Sequence, residues 1–183
     1  MQVNMTEFSK NQLLEQLNDI FQIVTLVYAS ITYFYRDTDL RILSENNAMY
    51  HQRLFRFKDL ANELRDEVTR TGKLQEFSWT VEKFLLREPY GTIDEYCRIN
   101  KIQPDLERQE WWDFARKIRN YVTHNYFDLN QNKEECFPVK WKNNEITWNE
   151  VKNSSIDFSK FEKGMPMDLY EEIKQFAESL PDN

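Results

Sequence analysis

The sequence predicts an all-α protein, an antiparallel helical bundle of four to five helices with a small β-hairpin near the C-terminus. Glycine occurs only three times in 183 residues, and residues 1–71 contain neither glycine nor proline. Tight turns usually need one of these residue types, so the first third of the chain should form long helices. Apolar residues that recur at helical spacing in 6–36 and 44–71 support this interpretation.

Each predicted helix follows from an apolar stripe and its end signals. Arg70 followed by Gly72 is typical of a helix C-terminus, and Pro89 with Gly91 should close a later helix. Pro104, followed by acidic residues in the first turn, should open another helix. The predicted ranges are 6–36, 44–71, 75–86, a short piece at 92–100, 104 to 124 or 126, and 167–180.

The spacing of apolar residues changes to strict alternation in the stretch FPVKWKNNEITWNEV, which follows a polar loop. Alternation is typical of a strand with one buried face. The two asparagines in the middle suit a two-residue hairpin loop, because asparagine tolerates positive φ. This arrangement predicts Trp141 opposite Ile146 and Val139 opposite Trp148.

Length and composition predict one domain with a substantial core. The chain is 40% hydrophobic and 15% aromatic, and 183 residues suit a single domain. We expect one helical domain over 1–183, in which 137–183 form an appendage of hairpin plus C-terminal helix. The formal net charge of −7 argues against a protein that coats nucleic acid non-specifically. It leaves room for a local basic pocket.

Neither the cysteines nor the apolar runs indicate an extracytoplasmic protein. Cys97 and Cys136 lie in no CxxC motif, so we expect two isolated buried thiols in a reducing compartment. The sequence opens without a visible signal peptide. The most apolar run, 20–35, is shorter than the roughly 20 residues of a membrane span. A soluble cytoplasmic protein without membrane contact is therefore expected, and no metal or cofactor motif is visible.

The chemistry-bearing stretch is RKIRNYVTHNY, which begins at Arg116. On a helical wheel Arg116, Asn120 and His124 follow one another along the polar face, and Arg119 flanks them. Imidazole exchanges protons near neutral pH, and guanidinium grips phosphate oxygens. RNA supplies its own nucleophile, the 2′-OH, so this set of groups could cleave it without a metal.

The spacing of Arg119 and His124 poses a geometric problem. Five residues on a regular helix separate two side chains by about 140°. Either the helix unwinds near His124, or two copies of the chain meet and pool their side chains. We favour a homodimer with a composite Arg/His site, which would also concentrate positive charge in one cleft.

Arg119-Asn120-x-x-x-His124 resembles the R-x4-6-H motif of the HEPN superfamily. The resemblance implies a dimeric helical bundle and, as in many members, a metal-independent endoribonuclease. It implies that Arg119 and His124 are the catalytic pair, with Asn120 in a supporting or RNA-binding role. From its place on the same helix face, we expect Arg116 to support them too. The implied products carry a cyclic phosphate and a 5′-hydroxyl.

The same stretch continues to Tyr126, which gives R-x4-H-x-Y. This pattern is similar to that of HepT-type toxins of toxin–antitoxin systems. The resemblance implies a toxin or antiviral-defence effector that an inhibitory antitoxin partner restrains. It also implies that Tyr126 is the tyrosine to which the antitoxin attaches adenylate.

Other interpretations of these residues stay open at the sequence level. The whole chain could be a non-catalytic HEPN-like module that binds a protein partner or a nucleotide. His124 could simply favour a helix C-terminus, and Lys117 should lie on a solvated face. We expect His51, the other histidine, to be a surface or cap residue. Of the pair Trp111-Trp112, one should be core and the other partly exposed, where it could stack on a base.

Overall fold

The computed structural model describes residues 8–34, 37–45, 47–50, 53–124 and 133–182. Most of these residues are helical, and two small antiparallel hairpins accompany the helices. The predicted all-α class and the C-terminal hairpin are thus confirmed at this level, but the predicted number of four to five helices was too low, since the described residues form eight. The elements are α1 (Lys10–Phe34), α2 (Asp37–Ser44), β1 (Asn47–Tyr50), β2 (Arg53–Arg56), α3 (Phe57–Glu63), α4 (Glu67–Ile99), α5 (Gln103–Glu107), α6 (Trp112–His124), β3 (Val139–Trp141), β4 (Asn144–Ile146), α7 (Trp148–Lys152) and α8 (Met165–Ser179).

The helix predicted over 44–71 was wrong, because this stretch contains the end of α2, the β1–β2 hairpin, α3 and the start of α4. The strands pair antiparallel from Asn47 opposite Arg56 to Tyr50 opposite Arg53. Both strands, NAMY and RLFR, carry an aromatic and a long apolar residue, which suit a pleated surface. The lack of glycine and proline makes a turn less favourable but does not prevent one.

Helix α4 is continuous over 33 residues, so the predicted ends at Gly72 and before Pro89 were wrong. The helix begins where the Asp66 carboxylate accepts a hydrogen bond from the Thr69 amide at 2.7 Å. A glycine inside a helix costs only about 1 kcal/mol. Burial of apolar side chains along this helix, among them Leu86, offsets such local penalties.

The helix predicted from Pro104 onward is two helices, α5 and α6, separated by a turn at residues 108–111. In this turn the Trp112 amide donates to the Gln109 carbonyl at 3.0 Å. The turn lets Trp111 bury itself edge-on against Phe176 of α8, with ring centroids 6.2 Å apart. Helix α6 runs to His124, the last described residue before 133 and the nearer of the two predicted ends.

The C-terminal hairpin forms in a different register from the predicted one. Val139 pairs with Ile146 and Trp141 with Asn144, whereas we expected Ile146 opposite Trp141. Lys142 takes the positive φ of 52° in the turn. Asn144 makes its contact outside the turn: its buried side chain accepts a hydrogen bond from the Glu162 amide at 2.9 Å. Trp148, predicted in the strand, begins α7.

Backbone contacts divide the chain into two compact units, Met1–Phe21 with Lys83–Asn183, and Gln22–Glu82. The described residues of the predicted site all lie in the first unit, where α6, the β3–β4 hairpin and α8 share one core. Its largest fully buried side chains are Tyr96, Tyr170, Phe114, Leu13, Leu17, Leu86, Ile93, Leu106, Ile118, Ile146, Met165 and Leu169.

The two cysteines differ in exposure. Both are free, but Cys97 is buried whereas Cys136 is exposed, so the prediction of two buried thiols holds only for Cys97. Burial, followed by the charges of Asp94 and Asp105, raises the pKa of Cys97 to about 12. In the part of the chain that the structure describes, no helix combines the length and hydrophobicity needed to cross a bilayer.

Candidate functional site: the polar face of α6

Helix α6 carries every described residue of the predicted site. The packing of its buried side determines the orientation of its polar face. Phe114 lies in the core, with its ring 5.6 Å from that of Trp141 and 5.7 Å from that of Phe161. At the start of the helix Trp112 stacks on Tyr90 of α4 at 5.0 Å. These contacts on both sides prevent the helix from rotating about its axis and leave Arg116, Asn120 and His124 away from the core.

The guanidinium of Arg119 is held by an uncharged partner. Its Nη1 donates to Oδ1 of Asn120 at 3.0 Å. Among the described residues, no carboxylate lies within ion-pair distance of Arg119 and its buried Nε has no hydrogen-bond partner. An amide oxygen orients a guanidinium without neutralising it. The full positive charge of Arg119 therefore remains for an anionic ligand.

Arg116 is held differently, by a carboxylate on its own helix. Its Nη2 lies 3.0 Å from Oδ1 of Asp113, and both side chains are substantially exposed. An exposed ion pair contributes little to stability, but it partly neutralises the guanidinium. The two arginines are therefore not equivalent, since Arg116 is paired with a carboxylate and Arg119 with an amide.

His124 is exposed and is the last residue of α6. His124 lies in the last turn of α6, so a purely structural role for it agrees with the structure as well. An exposed imidazole at a helix end can also reach a ligand. Tyr126 and His51 lie outside the described residues.

The helix does not unwind before His124, because α6 is helical through that residue. Arg119 and His124 are therefore separated by about 140° around the axis and about 7.5 Å along it. The structure brings Arg119 together with Asn120, and Arg116 with Asp113, but it does not bring Arg119 and His124 together within one copy.

Lys117 was expected on a solvated face, and this prediction was wrong: only 5% of the residue is exposed. Its ammonium lies 5.3 Å from the centre of the Phe137 ring, which comes from the segment after the polar loop. Burial, followed by the charge of Arg116, lowers the pKa of Lys117. Nothing in the local sequence indicated that a distant aromatic ring would cover this lysine.

Tyr90 is a second residue that the sequence did not reveal. It is buried in α4, where its ring stacks on that of Trp112, the first residue of α6. Burial raises the pKa of the Tyr90 hydroxyl, and Asp94 adds to this effect. The charges of Arg116 and Arg119 oppose it. Tyr90 supports the start of α6 through its stacking on Trp112.

Both tryptophans of the pair are buried, with 3% of Trp111 and 8% of Trp112 exposed. The prediction that one of them is partly exposed was therefore wrong. The turn before α6 directs Trp111 towards α8, and stacking on Tyr90 covers Trp112. A base-stacking role for Trp112 is excluded in this arrangement.

Comparisons of the chain with models of protein families, with curated proteins and with solved structures gave no match. Among the described residues, no three His, Cys, Asp or Glu side chains are grouped in a way that could hold a metal ion.

Proposed function

We propose that this protein is a metal-independent endoribonuclease that acts as a homodimer. One observation carries the proposal: Arg119 is oriented by the neutral amide of Asn120, so its charge is not neutralised, and it shares an unbroken helix with the exposed His124. In RNA cleavage the 2′-hydroxyl attacks the adjacent phosphate. An exposed imidazole can transfer the protons of this reaction, and a positioned guanidinium can stabilise the charge on the phosphate.

The proposed reaction is transesterification within the RNA strand. A His124 imidazole accepts the proton of the 2′-OH while the 2′ oxygen attacks the adjacent phosphorus. The bond from phosphorus to the 5′ oxygen breaks, and an imidazolium donates a proton to that oxygen. The products are a 2′,3′-cyclic phosphate and a 5′-hydroxyl. Arg119 stabilises the additional negative charge on the phosphate oxygens in the transition state.

Two copies of the chain are needed for this chemistry, because Arg119 and His124 point in different directions on a regular helix. When two α6 helices face each other, Arg119 of one copy meets His124 of the other. The two copies thus form two symmetry-related sites, each with Arg119 of one copy and His124 of the other. The two Arg119 guanidiniums in one cleft also offset the overall charge of −7 locally, whereas each Arg116 is paired with Asp113.

The resemblance of the R-x4-H-x-Y stretch to HepT-type toxins also leads us to propose a biological role. An endoribonuclease of this kind serves as a toxin or an antiviral-defence effector, and an inhibitory partner restrains it by adenylating Tyr126. Overexpression of the active protein in a bacterial host then arrests growth.

The proposal is tested by incubating purified protein with a 5′-labelled RNA pool in EDTA. We expect cleavage whose 5′ fragments end in a cyclic phosphate, as shown by a mobility shift after mild acid opens the ring and phosphatase removes the phosphate. Intact RNA after incubation with the dimeric protein would contradict the proposal. It would favour a non-catalytic module that binds a protein or a nucleotide through the same face.

A further inference from the structure

An apolar strip on the second half of α1 faces solvent. Every exposed large apolar side chain among the described residues belongs to the second compact unit, Gln22–Glu82. Two of them, Ile23 with 51% and Leu26 with 69% of the residue exposed, lie three residues apart on α1. Exposed apolar side chains that cluster in this way mark a surface that another molecule covers.

The buried side of α1 determines where this strip points. Val24 and Ile31, seven residues apart, are both buried. Leu26 lies about 160° from Val24 around the helix axis, which is the side away from the core of its own unit. Ile23 precedes Leu26 by three residues and Ser30 follows it by four, so the three side chains form one row. We call Ile23, Leu26 and Ser30 the α1 strip.

The hydroxyl groups on and beside the α1 strip already have partners within the helix. Ser30 Oγ donates a hydrogen bond to the Leu26 carbonyl at 2.8 Å, and Thr32 Oγ1 donates to the Tyr28 carbonyl at 2.9 Å. An apolar partner can therefore cover the strip without leaving a hydroxyl donor unpaired. Ala29, which adjoins the strip, is small and lets a second helix approach closely.

The distribution of charge indicates which partner fits the α1 strip. Residues 20–35 contain no Asp, Glu, Lys or Arg and are the longest uncharged stretch of the chain. Each copy carries a formal charge of −7, so two copies repel each other except where charged side chains are absent. A two-fold axis also brings residues close to their own equivalents, which an uncharged strip tolerates. An acidic or basic partner finds no complementary charge on this strip.

We propose that the α1 strips of two copies pack against each other and hold the homodimer together. The inference rests on the proposed function, whose composite site needs two copies, and it names a surface that joins them. The polar face of α6 carries the charge of Arg119, which Asn120 does not neutralise, so two such faces repel each other in the absence of RNA. The α1 strip supplies apolar surface for association, which the polar face does not.

Sedimentation velocity of the full chain without RNA, over a range of concentrations, tests the inference. Wild type should form dimers. Leu26→Glu should raise the dissociation constant of the dimer by roughly 10²- to 10⁴-fold, because each dimer loses two buried leucines and burying one leucine strengthens binding by about 10- to 150-fold. Leu26 is exposed in a single copy, so the substitution should not unfold it, and circular dichroism checks this.

Gln16→Glu is the matched control, because Gln16 is an exposed residue of the same helix outside the uncharged stretch and gains the same charge. It should dimerise like wild type. Leu26→Cys in a Cys136→Ser background gives an independent measurement, since Cys136 is an exposed native thiol. Mild oxidation should link two copies through position 26, at the middle of the strip, whereas Gln16→Cys in the same background should stay unlinked.

Two results would overturn the proposed interface. One is a wild-type monomer, and binding of that monomer to phosphatidylcholine vesicles would show that a lipid surface covers the strip instead. The other is a wild-type dimer that Leu26→Glu leaves intact and that forms no cross-link through position 26, which would leave the ribonuclease proposal standing. Loss of the dimer in Leu26→Glu, together with no cleavage of RNA by wild type, would support the interface and contradict the ribonuclease.

Discussion

Replacing His124 with alanine is expected to lower the rate of RNA cleavage by about 10²- to 10⁴-fold, which is the usual contribution of a general acid or base. The residue is exposed on α6, so the substitution should not unfold the protein. The rate is measured on the labelled RNA pool in EDTA, with variant and wild type purified in parallel.

His51→Ala is the matched control, because the chain has only two histidines. We expect it to cleave RNA like wild type. Equal activity of His124→Ala and wild type would contradict the assigned role of His124. Circular dichroism and thermal melting of both variants show whether a loss of activity reflects a loss of fold.

Replacing Arg119 with alanine is expected to lower the rate of the same cleavage by about 10²- to 10³-fold, the cost of removing one group that stabilises transition-state charge. Arg116→Ala should cost less, because Asp113 already neutralises much of the charge of Arg116. The measurement is kcat/KM on a short RNA in EDTA. Arg108→Ala is the control, since Arg108 is also an exposed arginine paired with an aspartate three residues earlier.

Asn120→Asp separates the charge of Arg119 from its position. The substitution keeps the shape of the side chain and the hydrogen bond to Arg119, but it places a carboxylate against the guanidinium. We expect weaker RNA binding and slower cleavage, with a smaller loss than in Arg119→Ala. Unchanged kinetics in Asn120→Asp and in Arg119→Ala would show that Arg119 does not contact phosphate.

The part of the fold that was predictable is the part that local pattern determines. The apolar stripe of α1 and the amphipathic pattern that ends before Pro181 predicted α1 and α8 to within a few residues. The β1–β2 hairpin was missed because the two residues between its strands are neither glycine nor proline, the usual turn residues. The prediction ended a helix at Gly72, inside α4. Burial of the side chains of α4 offsets the local cost of this glycine, but that burial depends on partners that are distant in sequence.

In the site, too, features that depend on neighbouring residues were predictable, whereas features that depend on contacts between distant segments were not. Arg116, Asn120 and His124 were predicted on one face of a helix, since their spacing is local, and α6 carries them. The burial of Lys117 under Phe137 and the support of α6 by Tyr90 were not predictable. Both depend on contacts between segments separated along the chain by 20 residues or more, which a helical wheel does not contain.

The most direct test of the composite site is a hybrid dimer of Arg119→Ala and His124→Ala. The two variants are co-expressed with different tags, and the dimer that carries both tags is isolated and assayed on RNA in EDTA. Each homodimer should be inactive. The hybrid should recover roughly half of the wild-type rate, because one of its two symmetry-related sites combines an intact Arg119 with an intact His124. A hybrid as inactive as its parents, or a chain that forms no dimer, would contradict the account.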